Sequence, residues 1–403
     1  MALNASKKIL IFESSRPENP TIGGSFRSLK VVIQALIEDD WNITIACYKK
    51  NKFLEFPNQN IEVIELKHFS LRSAYSKIFK KSSQKDKEII NNYSNSKNVL
   101  RNVFNPFSNI FFNTLNSFTL WRFISVLEPE YIYCNTSISN DRNIILPGLF
   151  LKKKIISHLR NLPKVGVIDR FVSSKISYVI SISEVVHNHW KDNKCNFKKS
   201  CVLRNALGDD FEKYEQKIRE EVFFKGDNFK IGCFSRLIKW KGIVTLIEAF
   251  DLYKKNDGDG ILHIYGDGPM KKEIESLIIS KNMQHHIKLM GHIDDVAREI
   301  ISCSLIIAPS DEPEPLGRTV MESMYLGIPV IASAGGGHIE TITDGENGLL
   351  FKMKSKSSLE KQITKVYKDD KLRYKLANSG ISKSQQWLSS SYKKNIQNLF
   401  RNI

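Results

Sequence analysis

No apolar run in this 403-residue sequence approaches the roughly 18 residues that a membrane-spanning helix requires. The opening stretch MALNASKKILIFES also lacks the long apolar region and the cleavage site of a signal peptide, and its end is typical of a strand. The composition, with 41% hydrophobic and 26% charged residues, is that of a globular protein. We therefore expect a cytoplasmic protein.

Residues that would form disulfides or bind metals are scarce as well. The six cysteines include no CxxC pair and no spacing typical of a metal site. Most of them stand in strand-like runs, where a free cysteine behaves as a small buried hydrophobic residue. No convincing metal-binding DxD motif is present, since DGD at 257–259 is typical of a turn before a strand. We therefore predict a reduced protein with no metal site and no cofactor.

Positive charge, in contrast, is abundant. The sequence has 60 lysine and arginine residues against 43 aspartate and glutamate residues, which gives a formal net charge of +17. Such an excess favours acidic partners, namely phosphate-bearing ligands, nucleic acid or an anionic membrane surface. A basic nucleic-acid-binding protein is one alternative, and it would bind DNA or RNA with a steep salt dependence. The chain carries no nucleic-acid-binding motif, so we expect no nucleic acid among its partners.

Short apolar runs rich in β-branched residues alternate with amphipathic stretches along most of the chain. This pattern predicts parallel sheets covered by helices on both faces, and thus the α/β class. Each half carries enough strands for one doubly wound, Rossmann-like domain. The predicted strands are 8–14, 41–48, 60–66, 131–135, 154–160, 178–183 and 201–205 in the first half, and 229–237, 261–266, 287–292, 304–310, 329–334 and 348–351 in the second.

The polar stretch 208–228 is the predicted junction between the two halves. We predict an N-terminal domain over 1–207, a C-terminal domain over 208–384, and a C-terminal helix over 385–403 that crosses back to the N-terminal domain. Two such domains facing each other would form a central cleft at the carboxyl ends of their strands, where ligands of open α/β sheets bind. The loops at these strand ends are therefore the places to look for functional residues.

Two cations follow the first strand of the second half. Arg236 and Lys241 stand in FSRLIKWKG, directly before the predicted helix GIVTLIEAF. The positive end of a helix dipole repels cations, and an anion held by them and by the helix N–H groups would remove this conflict. A diphosphate fits this arrangement, although two solvated charges on a turn would explain the same residues.

Two carboxylates flank a Pro-Leu-Gly in the stretch DEPEPLGRTVMESMYLG. Glu314 stands in the loop, and Glu322 lies about one and a half turns into the following helix. The N–H groups of Leu316 and Gly317, at the start of that helix, are predicted donors to an anion or a hydroxyl. Carboxylates accept hydrogen bonds from hydroxyls in pairs, which suits sugars and ribose. Either carboxylate taken alone would favour a solvent-facing position on the loop or on the helix surface.

The first half offers a glycine pair and a histidine at strand ends. Gly23 and Gly24 open the helix after the first strand, and their bare backbone can approach a phosphate or sugar closely. Helix starts often carry glycine, so the pair alone is a weak signal. A lone histidine is more often structural, but His158 ends the predicted strand KIISH, which favours a site. Asn205 lies in the same way at the end of the predicted strand CVLRN, 201–205.

Taken in order, these residues resemble the family-4 retaining glycosyltransferases, which have the GT-B fold. The resemblance extends from about residue 8 to 403, and its combined signature is highly specific although each piece is weak. Two departures are NALGD at 205–209, where the family has Asn-Gly-x-Asp, and Leu316 in place of a phenylalanine. The matching pieces are the glycine pair, the strand-end histidine, VIS-x-SE at 179–184, an asparagine before the linker, SRL-x3-KG, GDGP, E-P-x-G-x4-E, G-x-P-V-I-A, GG-x3-E and NGLL.

The resemblance implies a role for each matched residue. Glu314 would lie by the donor sugar, and Glu322 would bind the ribose of a sugar nucleotide. Two cations would hold the diphosphate and stabilise its leaving charge, and the histidine would lie near the reacting sugar. The implied catalytic residues are Glu314, His158, Arg236 and Lys241, and the implied nucleotide-sugar-binding residues are Gly23, Gly24, Arg236, Lys241, Leu316, Gly317 and Glu322.

The same resemblance implies a retaining, metal-independent glycosyltransferase of the hexosyltransferase type. The N-terminal domain would bind the acceptor and the C-terminal domain the nucleotide-diphosphate sugar. No carboxylate is placed as a nucleophile, so front-side displacement with retention is favoured. A lipid-linked or glycan acceptor in bacterial cell-surface glycan synthesis, at the inner membrane face, is the expectation. A GT-B sugar-nucleotide epimerase or hydrolase, which would act without an acceptor, is the alternative enzyme, and the donor sugar, base and linkage stay open.

A basic segment precedes an aromatic stretch in the first half. Between Lys67 and Arg101 there are nine basic and two acidic residues, and Asn105-Pro106 then reads as a helix start. A basic run beside an aromatic stripe suits an anionic membrane surface, whereas a core-facing helix after a charged loop would give the same pattern. The stripe at helical spacing consists of Phe104, Phe107, Phe111, Leu115 and Phe118.

Overall fold

The computed structural model describes residues 7–14, 24–48, 61–66 and 113–403. The chain divides into two compact units. Unit 1 comprises Met1–Ser181, His189–Cys201 and Gln397–Ile403, and unit 2 comprises Ile182–Asn188 and Val202–Ile396. The domain boundaries drawn from the sequence, after residues 207 and 384, stay predictions.

Unit 1 contains a seven-stranded sheet. Its strands are β1 (Lys8–Glu13), β2 (Asn42–Cys47), β3 (Ile61–Glu65), β4 (Tyr131–Cys134), β5 (Lys154–Leu159), β6 (Tyr178–Ser181) and β7 (Ser200–Val202). The order is β3-β2-β1-β4-β5-β6-β7, and the pairs from β3 to β6 are parallel. The helices are α1 (Gly24–Glu38), α2 (described over 113–127), α3 (Arg142–Phe150), α4 (Val167–Ser173) and α5 (Glu184–Asp192), of which 184–188 belong to unit 2.

Unit 2 contains a six-stranded sheet. Its strands are β8 (Lys230–Phe234), β9 (Ile261–Tyr265), β10 (Ile287–Gly291), β11 (Leu305–Ala308), β12 (Val330–Ser333) and β13 (Leu349–Phe351). The order is β10-β9-β8-β11-β12-β13, and all five pairs are parallel. The helices are α6 (Asp209–Glu212), α7 (Ile243–Lys255), α8 (Lys271–Ser280), α9 (Val296–Ile301), α10 (Arg318–Tyr325), α11 (His338–Thr341), α12 (Lys356–Lys368), α13 (Asp370–Ser384) and α14 (Ser389–Arg401), which ends in unit 1.

These sheets confirm the predicted α/β class with two Rossmann-like, doubly wound units. Each predicted strand is present within a few residues of its expected bounds, because continuous β-branched runs suit strands that are buried on both faces. One end was wrong: β7 stops at Val202, so Asn205 lies three residues beyond it. Five of the six cysteines are buried, which confirms their expected role as small hydrophobic residues.

The strand order reverses next to β1 in unit 1 and next to β8 in unit 2. Loops at the carboxyl ends of such strands diverge to opposite faces of the sheet and leave room for a ligand. In unit 2 the diverging loops are those after β8 and β11, which carry the residues predicted to form a site.

The end of α14 completes the core of unit 1. Phe400 is 1% exposed. Its ring meets Trp41 edge-on with 5.3 Å between centroids, and Trp41 meets Tyr131 at the same distance. Aromatic pairs in this geometry stabilise a core beyond the area that they bury. The last turn of the chain therefore contributes to the stability of unit 1.

Phe400→Ala should lower the free energy of unfolding by about 3–5 kcal/mol, because it removes a buried ring and leaves a cavity beside Trp41. Urea unfolding followed by tryptophan fluorescence measures this loss. Asn398→Ala, at an exposed position of the same helix, is the matched control and should change stability little. Equal, small losses in the two variants would show that the end of α14 is not part of the core.

Candidate functional site

The loops after β8 and β11 meet through a buried ion pair. Lys241 stands between β8 and α7, and Glu314 stands between β11 and α10. The Nζ of Lys241 donates to Oε1 of Glu314, and Ser310 Oγ donates to the same oxygen at 2.6 Å. Only 19% of the lysine side chain and 9% of the glutamate side chain are exposed. Two residues that the sequence analysis assigned to one site are thus in direct contact.

Glu314 is ionised at neutral pH. Burial raises the pKa of its carboxyl, but Lys241, His338 and Ser310 together lower it further, so that the pKa lies below its ordinary value. Among the described residues, both hydrogen bonds to this carboxylate reach Oε1. Oε2 is therefore the oxygen that can accept a hydrogen bond from a ligand.

A left-handed glycine brings the two loops together. Gly242, directly after Lys241, has a φ of 68°, and a Cβ at this position would lie 1.9 Å from the carbonyl oxygen of Pro309. Beside this close contact between the two loops, the backbone N–H of Asp311 donates a hydrogen bond to the carbonyl oxygen of Trp240 at 2.8 Å. Any larger residue at position 242 would push the Lys241 loop away from the loop that carries Glu314.

The glycine triplet 335–337 supports the backbone of the Glu314 loop. A Cβ on Gly336 would lie 2.2 Å from Glu314 O, and a Cβ on Gly337 would lie 2.4 Å from Leu316 Cα. Gly337 N donates to Glu314 O at 2.6 Å. Gly336 and Gly337 are therefore needed for close packing of one loop on another, which explains why these glycines follow the two glutamates in the sequence.

Gly317 is the N-cap of α10 and has a φ of 82°. The first turn of a helix leaves N–H groups without intrahelical partners, so this end of α10 is suited to an anion. The imidazole of His338 packs against Gly317, where a Cβ would lie 2.4 Å from its Cδ2 atom. Leu316, the preceding residue, has a buried side chain. The two predicted backbone donors thus stand at the start of α10.

Glu322 lies on α10, as predicted, and is 4% exposed. Arg318, one turn earlier, donates from Nε to Glu322 Oε1 at 3.0 Å. The same guanidinium donates to the carbonyl oxygens of Ala206 and Leu207 at 3.1 and 2.9 Å. Arg318 therefore fixes the Glu322 carboxylate and also ties α10 to the segment that precedes α6.

Arg236 lies on the turn after β8, with an exposed side chain. The GDG turn after β9 packs on this segment. A Cβ on Gly266 would lie 1.9 Å from Ser235 O, and a Cβ on Gly268 would lie 2.4 Å from Leu237 O. The backbone around Arg236 is thus held by a neighbouring loop, while its guanidinium remains accessible to a ligand.

In unit 1, His158 lies on β5 and is completely buried. Its Nδ1 contacts the hydroxyl of Tyr133 and lies 3.1 Å from Nη2 of Arg160. Because a guanidinium only donates, Nδ1 accepts, and the neutral ring carries its proton on Nε2. Burial, and after it the charge of Arg160, lowers the pKa of His158 well below its usual value. Among the described residues the Nε2–H group has no partner, so it can donate to a ligand.

Only one of the two glycines predicted to open the helix after the first strand lies among the described residues. Gly23 lies outside the described residues, whereas Gly24 is the first residue of α1. Of the predicted site residues of unit 2, the structure brings Lys241 into contact with Glu314 and places Gly317 at the start of α10 and Glu322 within it. The roles assigned to these residues and to His158 stay predictions.

Two residues that matter for the site were matched as motif letters but given no role. Ser183, in VIS-x-SE, donates from Oγ to Pro315 O at 2.5 Å and accepts from Val186 N at 3.1 Å. Glu340, in GG-x3-E, accepts from the N–H groups at the start of α5 at 3.0 and 2.6 Å and from Arg204 at 3.0 Å. Both residues fix the segment beside the Glu314 loop. Their presence in the VIS-x-SE and GG-x3-E motifs was the sequence signal that could have identified them.

Neither a metal centre nor a membrane span is apparent in the described parts of the chain. Within 7–14, 24–48, 61–66 and 113–403, no group of three or more His, Cys, Asp or Glu side chains is arranged to hold a metal ion. No helix in these ranges combines the length and the apolar character that crossing a membrane requires.

Residues 215–383 match the model of the family described as Glycosyl transferases group 1. This range carries Lys241, Glu314 and Glu322. An uncharacterised glycosyltransferase of Methanocaldococcus jannaschii is 26% identical over 404 residues, covering 94% of this chain and 96% of the relative. The capsular polysaccharide biosynthesis glycosyltransferase CapM of Staphylococcus aureus is 27% identical over 220 residues, covering 53% of this chain and 58% of the relative. The chain also covers 61% of a second uncharacterised glycosyltransferase of M. jannaschii, at 27% identity.

Solved structures confirm the fold. The crystal structure of Anabaena HepE in complex with UDP and glucose superposes with a TM-score of 0.74 at 18% identity, covering 98% of this chain and 100% of that chain. The lipopolysaccharide outer core galactosyltransferase WaaB superposes with a TM-score of 0.69 at 15% identity, covering 98% of this chain and 100% of the WaaB chain. The predicted GT-B fold class, with two Rossmann-like units, is therefore correct.

Lys241→Ala should lower the free energy of unfolding by about 3–5 kcal/mol at neutral pH, because it leaves a buried carboxylate unpaired. Without the lysine, burial would raise the pKa of Glu314 above its unfolded value. The loss should therefore shrink as the pH falls and the carboxyl takes up a proton. Denaturant unfolding of both proteins between about pH 5 and 8 measures this dependence.

The double variant Lys241→Met with Glu314→Gln is the control, because it removes both charges and keeps the volumes similar. It should recover much of the stability that the single variant loses. A single variant as stable as the wild type across this pH range would contradict the proposed coupling.

Proposed function

We propose that this protein is a retaining glycosyltransferase, which moves a sugar from a nucleoside-diphosphate sugar to a lipid-linked or glycan acceptor in bacterial cell-surface polysaccharide synthesis. The observation that carries the proposal is the Lys241–Glu314 pair at the carboxyl ends of β8 and β11, beside the N-terminus of α10. The match of residues 215–383 and the names of relatives such as CapM support this class of reaction.

The donor diphosphate would bind at the start of α10. The N–H groups of Leu316 and Gly317 would donate to its oxygens, and Arg236 and Lys241 would supply positive charge. These cations would stabilise the charge that develops on the leaving diphosphate, so the reaction would need no metal ion. Lys241 would serve this role while still paired with Glu314, because an ammonium has three N–H donors.

The two glutamates would hold different parts of the donor. Glu322, fixed by Arg318 at 3.0 Å, would accept hydrogen bonds from the ribose hydroxyls. Glu314 would accept one from a sugar hydroxyl through Oε2. In unit 1, the Nε2–H of His158 would donate to the reacting sugar, and Gly24, at the start of α1, would approach the phosphates or the acceptor.

Transfer with retention would occur on one face of the sugar. The bond between the anomeric carbon and the diphosphate oxygen breaks, and the acceptor hydroxyl oxygen bonds to that carbon from the same side. The acceptor proton passes to the leaving phosphate oxygen. Preorganised positive charge would stabilise this separated-charge transition state.

Glu322→Gln should raise the dissociation constant of a nucleoside diphosphate about 10- to 100-fold, since hydrogen bonds to a charged group contribute about 1.5–3 kcal/mol. Glu314→Gln should leave that constant nearly unchanged and should slow sugar transfer, because its contact forms mainly in the transition state. A thermal-shift screen of UDP, GDP, ADP and dTDP first selects the nucleotide. Calorimetry then gives its affinity, and single-turnover assays with acceptor, in buffer with EDTA, give the transfer rate.

Glu312→Gln is the matched control, because Glu312 is an exposed acid on the same loop. This variant should change neither the dissociation constant of the nucleoside diphosphate nor the rate of sugar transfer. If Glu314→Gln weakened nucleotide binding as much as Glu322→Gln, or left transfer unaffected, the division of roles would be wrong. Sugar release at the same rate with and without acceptor would favour a hydrolase.

An anionic membrane surface is the second partner that we propose, and α4 in unit 1 supports it. Its side chains Val167, Ile168 and Phe171 are 77%, 51% and 68% exposed. Arg170 on the same helix is exposed, and Lys175 Nζ lies 5.8 Å from the ring of Phe171. Exposed apolar side chains interspersed with cations suit the interface of an anionic bilayer.

The basic segment and most of the aromatic stripe discussed above lie outside the described residues. Of the stripe, Leu115 and Phe118 belong to α2. Leu115 is partly buried, whereas Phe118 is 61% exposed. The ring of Phe118 stacks on that of Trp121, with 5.7 Å between the ring centroids. An exposed aromatic pair on α2 is compatible with the same membrane partner.

Replacing Val167, Ile168 and Phe171 together with serine should weaken binding to vesicles that contain anionic lipid. Binding of the wild type should also fall as salt rises, because exposed charges are screened over about 8 Å at physiological ionic strength. Co-sedimentation with vesicles measures both effects. Ile279→Ser on α8, which removes a side chain that is 59% exposed, is the control. Equal binding of wild type to neutral and anionic vesicles would contradict the proposed partner.

A further inference from the structure

His338 is a buried side chain at the candidate site to which the proposed reaction assigns no role. It is the first residue of α11, directly after the glycine triplet, and is 1% exposed. Its Nδ1 lies 3.1 Å from the carbonyl oxygen of Ser333 and 3.3 Å from the Ser333 hydroxyl. A carbonyl oxygen only accepts, so Nδ1 carries a proton that it donates to Ser333. The neutral ring therefore has its lone pair on Nε2.

The Nε2 edge of this ring faces the start of α10. A Cβ on Gly317, the N-cap of α10, would lie 2.4 Å from His338 Cδ2 and 2.8 Å from Nε2. Glycine at 317 thus leaves the ring edge directly beside the first turn of α10. Any proton that the ring gains must enter at Nε2, because Nδ1 is already protonated.

The charged groups that act on His338 are Glu314, on the loop after β11, and Lys241, on the loop after β8. Burial lowers the pKa of His338, Glu314 and the Ser333 carbonyl raise it, and Lys241 lowers it, with a net pKa below its ordinary value. His338 is therefore neutral at neutral pH in the free protein. Lys241 and Glu314 act on the pKa of this ring in opposite directions, and an additional anion close to Nε2 would raise it.

We propose that His338 is a further ligand-binding residue of this site, which takes up one proton at Nε2 when a nucleoside diphosphate binds and donates that N–H to a phosphate oxygen. This inference rests on the proposed function, since it places the diphosphate at the start of α10. The proton comes from solvent, and no covalent bond other than Nε2–H is formed. The bound diphosphate favours the imidazolium, and a charged donor in turn strengthens the hydrogen bond to the phosphate.

The expected signature is proton uptake on binding. Calorimetric titration with UDP, or the tightest nucleoside diphosphate in the screen, is run near pH 7 in two buffers of different ionisation enthalpy. The wild type should take up a measurable fraction of a proton per site, because an opposite charge close to a titrating group raises its pKa by about 1 to 3. The dissociation constant should also rise with pH, by at most about tenfold per pH unit for one linked proton.

Two variants separate this role from a structural one. His338→Asn keeps an N–H group near the Ser333 carbonyl and removes the titrating atom, so it should abolish the uptake and weaken binding. His338→Gln carries a neutral amide donor that can extend toward the position of Nε2, so it should retain more affinity than the asparagine variant but show no uptake. His292→Asn, at a histidine whose side chain is 71% exposed after β10, should behave as the wild type does. Thermal unfolding of each variant confirms that it is folded.

The outcomes distinguish this inference from the proposed function. Saturable binding without proton uptake in the wild type, or with equal uptake in either folded His338 variant, would overturn the role of His338 and leave the glycosyltransferase proposal intact. Failure of every nucleoside diphosphate to bind the wild type would count against both. Uptake that is present in the wild type and in His292→Asn, and lost in the His338 variants, would support the inference.

Discussion

The buried ion pair between Lys241 and Glu314 is the contact on which the rest of the site in unit 2 depends. A carboxylate with 9% of its side chain exposed is costly unless a charged partner and hydrogen bonds compensate for its lost hydration. Lys241 and Ser310 supply that compensation. Because the two charged residues come from loops after adjacent strands, the pair also sets the spacing of these loops and therefore the position of the first turn of α10.

Glycine is what allows the backbone to approach closely enough for this pair to form. Gly242 packs against Pro309 O, Gly336 against the backbone of Glu314, and Gly317 against His338. In each case a Cβ would lie closer than real Cβ atoms come to their neighbours. These contacts leave backbone N–H groups, rather than bulky side chains, at the start of α10. A surface of this kind suits a phosphate, which makes short contacts with several donors at once.

Two of the buried histidines, His158 and His338, are held in opposite proton states at Nε2. Arg160 donates to Nδ1 of His158, so Nε2 of that ring carries the proton. The Ser333 carbonyl accepts from Nδ1 of His338, so Nε2 of that ring is unprotonated. Burial keeps both rings neutral by lowering their pKa values. One imidazole can thus donate at once, whereas the other must gain a proton first, and this difference underlies the separate roles proposed for them.

The sequence by itself determined the α/β class, the strands and the loops that carry the site, because burial on both faces demands β-branched runs and parallel strands place their carboxyl ends at one edge. It also marked Lys241, Glu314 and Glu322 as candidate site residues, through their order and spacing within a larger signature. Only the tertiary structure decided which of these side chains touch. Lys241 and Glu314 are 73 positions apart, Ser183 and Pro315 are 132 apart, and no local pattern encodes such contacts. The role that we propose for His338 has no signal in the sequence for the same reason, since folding places its ring against Gly317.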